Sequence, residues 1–163
     1  MSPRADLRAL AQRLQAWLQE ELGAEQRLRD LLQAEERAIR AADAAALAEA
    51  ARRVEEEVRG GSARERRRAE LVRAFGRALD VDPRTLSVTS IALRLGEGTP
   101  DAQGILRLRA ELRSAAAEVA RLGRRIASLA RYHEGLYVEL MGTLLGTEPG
   151  RTIEGGALID ARG

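Results

Sequence analysis

The chain has 163 residues, 45% of them hydrophobic, 32% charged and only 2% aromatic, and its 27 basic and 25 acidic residues leave a net charge of +2. That length suits one domain with a modest core, and the absence of any apolar run of about 18 residues or of a signal-peptide core points to a cytoplasmic chain without membrane insertion. The lack of Cys excludes disulfides, thiolate zinc sites and Cys nucleophiles, and the single histidine, His133, excludes a His-based metal cluster and any Ser-His-Asp triad not built on it.

A composition rich in Ala, Glu, Leu and Arg, with no Lys and no Asn, points to long helices. The first is expected to begin near Pro3, with Ser2 as N-cap. Its apolar stripe is Leu7, Leu10, Leu14, Trp17, Leu18, Leu22, Leu28, Leu31, Leu32 and Ile39, in steps that keep one face of a helix. Asp43 can cap a second helix from Ala44, where the phase of the stripe changes. The expected second stripe is Leu47, Ala51, Val54, Val58, Gly61, Glu65, Arg68, Val72, Phe75 and Leu79. Gly60-Gly61-Ser62 is a rival break, since two interior glycines cost roughly 2 kcal/mol. Asp43 is favoured, because an unbroken helix to residue 79 would be about 110 Å long.

Asp82-Pro83 opens a short helix reaching about Leu95, with Leu86, Ile91 and Ala92 on its apolar side. Gly96-Glu97-Gly98 ends it, and Thr99-Pro100 opens the last helix. There two sets repeat every seven residues, Ile105, Leu112, Val119, Ile126, His133, Leu140 and Leu108, Ala115, Leu122, Leu129, Leu136, Thr143, as in a coiled-coil seam. Gly146 is the expected stop. The predicted fold is all-α: an elongated antiparallel bundle of three long helices and one short one over residues 1–146, followed by a flexible, disordered tail over 147–163.

No catalytic constellation emerges, so an enzyme is not expected, nor a cofactor or a bound metal. His133 lies on the apolar seam with no second His or Cys to share a metal, and reads as a register or partner contact. Glu20-Glu21 and Glu55-Glu56-Glu57 are adjacent on helices and point to different sides. Glycines at 96–98 and 155–156 lack the context of a phosphate loop. Arg64, Arg66, Arg67 and Arg68 could meet phosphates, but acids at helical spacings face them, and nucleic-acid binders carry a larger basic excess. The last helix ends in Leu136, Tyr137, Leu140, Met141, Leu144 and Leu145, apolar around more than one face, with Tyr132 beside them. This is either bundle core or a strip that receives an amphipathic partner helix.

Distributed features resemble the FlgN-like family of flagellar export chaperones. They are Leu31-Leu32-Gln33-Ala34-Glu35-Glu36-Arg37-Ala38-Ile39; Asp43 and Leu47 before a charged helix reaching Glu65, Arg68 and Leu71-Val72; a short helix with Ser87 and Ile91-Ala92; the ending Leu136-Tyr137-Val138-Glu139-Leu140-Met141; and the tail Gly155-Gly156-Ala157-Leu158-Ile159-Asp160-Ala161-Arg162. The resemblance implies a helical bundle that binds the C-terminal helices of hook-associated proteins in the cytoplasm. It would prevent their premature assembly and deliver them to the flagellar export apparatus. It also implies partner-binding residues: Leu122, Ile126, Leu129, His133, Leu136, Tyr137, Leu140, Met141 and Leu144 on the last helix, and Ile153, Leu158 and Ile159 in the tail. The chain departs from the family where members often carry Asn in the last helix, here Ala130 and His133, and its tail lacks an aromatic residue. Two readings stay beside this one: a structural coiled-coil adaptor or homodimer, and a nucleic-acid-associated protein using the Arg64–Arg68 face.

Overall fold

The computed structural model describes residues 3–145, with side chains from 6 to 144. Ser2, Gly146 and the tail with Ile153, Leu158 and Ile159 lie outside the described residues. The architecture is an all-α bundle. Three long helices, α1 (Pro3–Arg40), α2 (Ala44–Leu79) and α4 (Pro100–Leu145), are joined by a short α3 (Val88–Arg94). Contacts divide the chain into two units, Met1–Ile126 and Ala127–Gly163, with the boundary inside α4.

Asp43 is the break between the first two helices, and one residue serves both ends. Its backbone N–H donates to Ala38 O (3.0 Å) and that of Ala42 to Ile39 O (3.1 Å), a double closure of α1 that puts Ala42 at φ 52°. The Asp43 carboxylate then accepts from the Ala46 amide (2.9 Å), capping α2. Gly60 and Gly61 lie inside α2 without interrupting it.

The start expected at Asp82-Pro83 divides in two. Asp82 caps only a single 3-10 turn, Pro83–Thr85. Leu86 and Ser87 are extended, and Ser87 starts α3 through a reciprocal capping box with Ser90. The turn into α4 uses Gly96 (φ 106°) and Gly98 (φ 80°), after which Thr99 Oγ1 accepts from the Ala102 amide (3.3 Å).

In the first unit, Arg64 of α2 reaches Glu21 of α1, and Arg27 of α1 reaches Glu57 of α2, so the two helices run antiparallel. Gln15 meets Asp101, Arg29 meets Glu118 and Glu36 meets Arg125, so α4 runs parallel to α1. Phe75, Leu14, Leu18, Ile91 and Ile105 are fully buried in one apolar cluster, to which α3 contributes Ile91 and Ala92. A second cluster joins Leu32 to Leu122 and Ile126.

The expected α2 stripe holds at Leu47, Val54, Gly61, Arg68, Val72, Phe75 and Leu79, all buried or half-buried, and is off by one residue at its remaining positions. Ala50 and Leu71 are buried, whereas Ala51, Val58 and Glu65 are exposed. The inward register is Leu47, Ala50, Val54, Glu57, Gly61, Arg64, Arg68, Leu71 and Phe75. Three–four spacing fits either set of positions, and Glu57 and Arg64 occupy two of the inward ones. There they form a half-buried polar layer: Arg64 binds Glu21 (2.8 Å) and Glu57 (3.2 Å), Arg27 binds Glu57 (3.0 Å), and Trp17 Nε1 donates to Arg64 O (2.9 Å). The Arg27 and Arg64 guanidiniums beside Glu57 hold its carboxyl below the usual range. Such layers add little net stability but select one register, since a slip would strand charges among apolar groups.

Glu36 is buried and held by Arg125 of α4 and by Arg40 (2.8 Å), which lower its pKa in that order of strength. A carboxyl with a lowered folded-state pKa stabilises the fold above its ordinary value and loses that contribution as pH falls through the lowered one. Glu36→Gln should therefore lower the melting temperature at pH 7. The gap to wild type should close as pH drops below 4.5, the ordinary value.

Two glycine replacements should have opposite signs. A Cβ at Gly61 would stand 3.7 Å from the Arg64 guanidinium, ordinary contact, so Gly61→Ala should stabilise by about 0.5–1 kcal/mol. A Cβ at buried Gly76 would stand 2.6 Å from Pro83 Cγ and 3.0 Å from Val81 O. Gly76→Ala should destabilise by about 1–3 kcal/mol, read from thermal melts.

Candidate partner-binding surface

The seam of α4 has two fates along its length. From Ile105 to Ile126 its positions are buried or half-buried within the first unit. Leu122 (4% exposed) and Ile126 (8%) pack on Leu32, so these two predicted partner residues are consumed by the core. Leu129 is half-buried. Beyond it the seam opens to solvent: His133 and Leu136 are exposed, as are Tyr132 (63%), Tyr137 (65%), Leu140 (58%) and Leu144 (71%). Met141 is half-buried.

Helical geometry brings the exposed groups together. At about 100° per residue, Tyr132, Leu136, Leu140, His133, Leu144 and Tyr137 fall within an arc of about 140°. Glu139 borders the arc on the Tyr132 side and Glu134 on the Tyr137–Met141 side, while Arg131 and the exposed Val138 lie on the opposite face. Tyr132 and His133 meet edge to face with ring centroids 6.0 Å apart. Tyr132 is in neither heptad set, so seam reasoning passes over it. Its i, i+4 spacing from Leu136 is the feature that places it on the strip. Thr143 turns its hydroxyl back onto Glu139 O (3.0 Å), which leaves its methyl to the surface.

On the rival arginine surface most charges are already paired. Arg64 pairs with Glu21 and Glu57, Arg67 with Glu20 (2.6 Å) and Arg68 with Glu65 (2.6 Å), so three of the four clustered guanidiniums already hold carboxylates. A groove of about 210 Å³ between α1 and α2 is lined by Arg13, Trp17, Glu20, Arg67, Glu70 and Leu71. It falls below the usual size of a small-molecule pocket, with the Glu20–Arg67 pair across it; a wider groove of about 430 Å³ between the same helices is lined by Leu10, Arg13, Ala74 and Arg77. Among the described residues no group of three or more His, Asp or Glu could hold a metal, and no described helix is long and apolar enough to cross a membrane.

The FlgN protein family model matches residues 1–136. The chain belongs to the FlgN family. That family consists of flagellar export chaperones, which bind flagellar proteins and are not enzymes. The FlgN match covers α1 to α3 and α4 as far as Leu136, and ends within the exposed strip. No curated protein and no solved structure matches the chain.

The division of the seam has a measurable consequence. Ile126→Glu should strongly destabilise the fold, because an unpaired carboxylate buried beside Leu32 costs several kcal/mol. Leu140→Glu should leave the melting temperature within the scatter of surface substitutions, about 0.5 kcal/mol.

Proposed function

We propose that this chain is a cytoplasmic chaperone for hook-associated proteins. It binds their C-terminal helices on the distal part of α4, keeps them from assembling prematurely, and hands them to the flagellar export apparatus. The observation that carries this reading is the exposed apolar strip from Tyr132 to Leu144 on a chain of the FlgN family. Leu129, His133, Leu136, Tyr137, Leu140, Met141 and Leu144 are the proposed contacts on α4, with Ile153, Leu158 and Ile159 of the tail as proposed further contacts.

The chemistry suits reversible capture. An assembly-competent helix shields its apolar side in the finished polymer, so the same side needs a temporary cover beforehand. A strip of Leu, Tyr and Met supplies one without demanding a single side-chain pattern. Burying roughly 600–800 Å² per side would suit a standard interface. Ordering a flexible client segment consumes part of the binding free energy, so affinity stays moderate and release remains accessible.

Isothermal titration with the C-terminal segment of a hook-associated protein tests the proposal. The intact chain should bind. Tyr137→Ala combined with Leu140→Glu should abolish the heat of binding while the helical circular dichroism signal persists. Arg66→Ala with Arg67→Ala should bind near normally, since exposed charges contribute little. No heat with the intact chain, or loss of binding from the arginine pair alone, would reject this reading in favour of an adaptor or a polyanion-binding role.

A further inference from the structure

The width of the strip bears on how many helices it can cover. We infer that the distal part of α4 holds two helices of its client at once, completing a three-helix bundle to which the chaperone contributes one member; this rests on the client-binding reading above.

The argument begins with which positions are apolar. In a two-stranded coiled coil the contact is a narrow seam, and the positions flanking it carry charges that stay in water. Distal α4 has the reverse arrangement. Its seam positions after Leu129 are His133, Leu136, Leu140 and Thr143, two of the four polar. The most exposed large apolar groups flank that seam, Tyr132 on one side and Tyr137 and Leu144 on the other. A single helix laid on the seam would cover the polar members and leave at least one flank in water. Two helices side by side cover both. The surface offers them two ridges at three- and four-residue spacing: Leu129, Tyr132, Leu136, Leu140 for one, and His133, Tyr137, Leu140, Leu144 for the other. An apolar face wider than the seam is the pattern of a helix packed in a bundle rather than in a pair.

Charge identifies the occupant as a foreign pair of helices rather than a second copy of the chain. Both edges of the strip carry a carboxylate, Glu139 beside Tyr132 and Glu134 beside Tyr137, and Arg131 lies on the far face. A second copy would bring acid to acid along each edge and place His133 and Thr143 in the joint core. A client pair with basic residues on its outer edges meets Glu134 and Glu139 with opposite charge. The His133 ring nitrogens put a polar group on the second ridge, which favours a polar residue on the facing client helix and so fixes its register.

Titration calorimetry of the full chain with three probes tests this: the two-helix C-terminal segment of a hook-associated protein, and each of its helices alone. The joined segment should bind one to one, and each single helix at least tenfold more weakly, because the second contact becomes intramolecular when the helices are linked. Tyr132→Glu and Leu144→Glu, one on each flank, should each weaken the joined segment at least tenfold with circular dichroism and melting unchanged. A single helix that binds as tightly as the joined segment, or a flank variant without effect, overturns the two-helix inference and leaves the chaperone reading standing. No binding of any probe overturns both. Sedimentation showing a dimer that Leu144→Glu dissociates would assign the strip to a second copy and overturn the inference.

Discussion

The structure depends on how much apolar surface is available to cover the seam of α4. That seam repeats every seven residues from Ile105 to Thr143; among the described residues it is packed in the core of the first unit as far as Ile126, Leu129 is half-buried, and His133, Leu136, Leu140 and Thr143 are exposed. In the first unit Leu14, Leu18, Phe75 and Ile91 close one cluster, and Leu32 closes the other. Past that point the same leucine-rich pattern faces water. One helix therefore carries core and exposed apolar surface in a single chemical alphabet, and only the presence of a neighbour separates them.

Part of the charge in this protein sets the register between helices. The α1–α2 interface buries much of Arg64 and Glu57 where a plain bundle would place leucine, and ties them to Glu21, Arg27 and the Trp17 indole. Gly60 fits this layer: the Arg64 guanidinium lies 3.2 Å from where its Cβ would stand, so the glycine leaves the arginine room to fold back along α2. The arginine cluster that suggests polyanion binding is in large part the outer continuation of this network, with its charges already matched by Glu20 and Glu65.

The scarcity of aromatics sharpens the division between stability and function. Of four aromatic residues, Phe75 is fully buried and Trp17 packs on the same cluster while donating its N–H to Arg64. The other two, Tyr132 and Tyr137, are both exposed on the distal strip. Tyrosine suits that place, since it offers a large apolar face at low entropic cost and a hydroxyl that tolerates water when no partner is bound. On the proposed reading, client contacts at the strip form and break without loosening the bundle.

The sequence by itself determined the helical class, the cap at Thr99 and the seven-residue seam of α4, because caps and periodicity are local properties of the chain; it favoured Asp43 over Gly60-Gly61 as the first break only on helix length. It also carried the resemblance to the FlgN family through features spread over its length. What it left open were matters of packing. Leu122, Ile126, Leu136 and Leu140 occupy equivalent heptad positions, and nothing in their spacing says that the first two are buried and the last two exposed. The α2 stripe reads one residue out at Ala51, Val58 and Glu65, because three–four spacing fits those positions as well as Ala50, Glu57 and Arg64, and only Glu21, Arg27 and Trp17 on α1 draw Glu57 and Arg64 inward. The extended Leu86 and Ser87 between the Pro83 turn and α3 were likewise hidden behind two competing caps, Asp82 and Ser87. Burial is set by which surfaces find a neighbour, a property of the assembled helices, and only the tertiary structure could decide it.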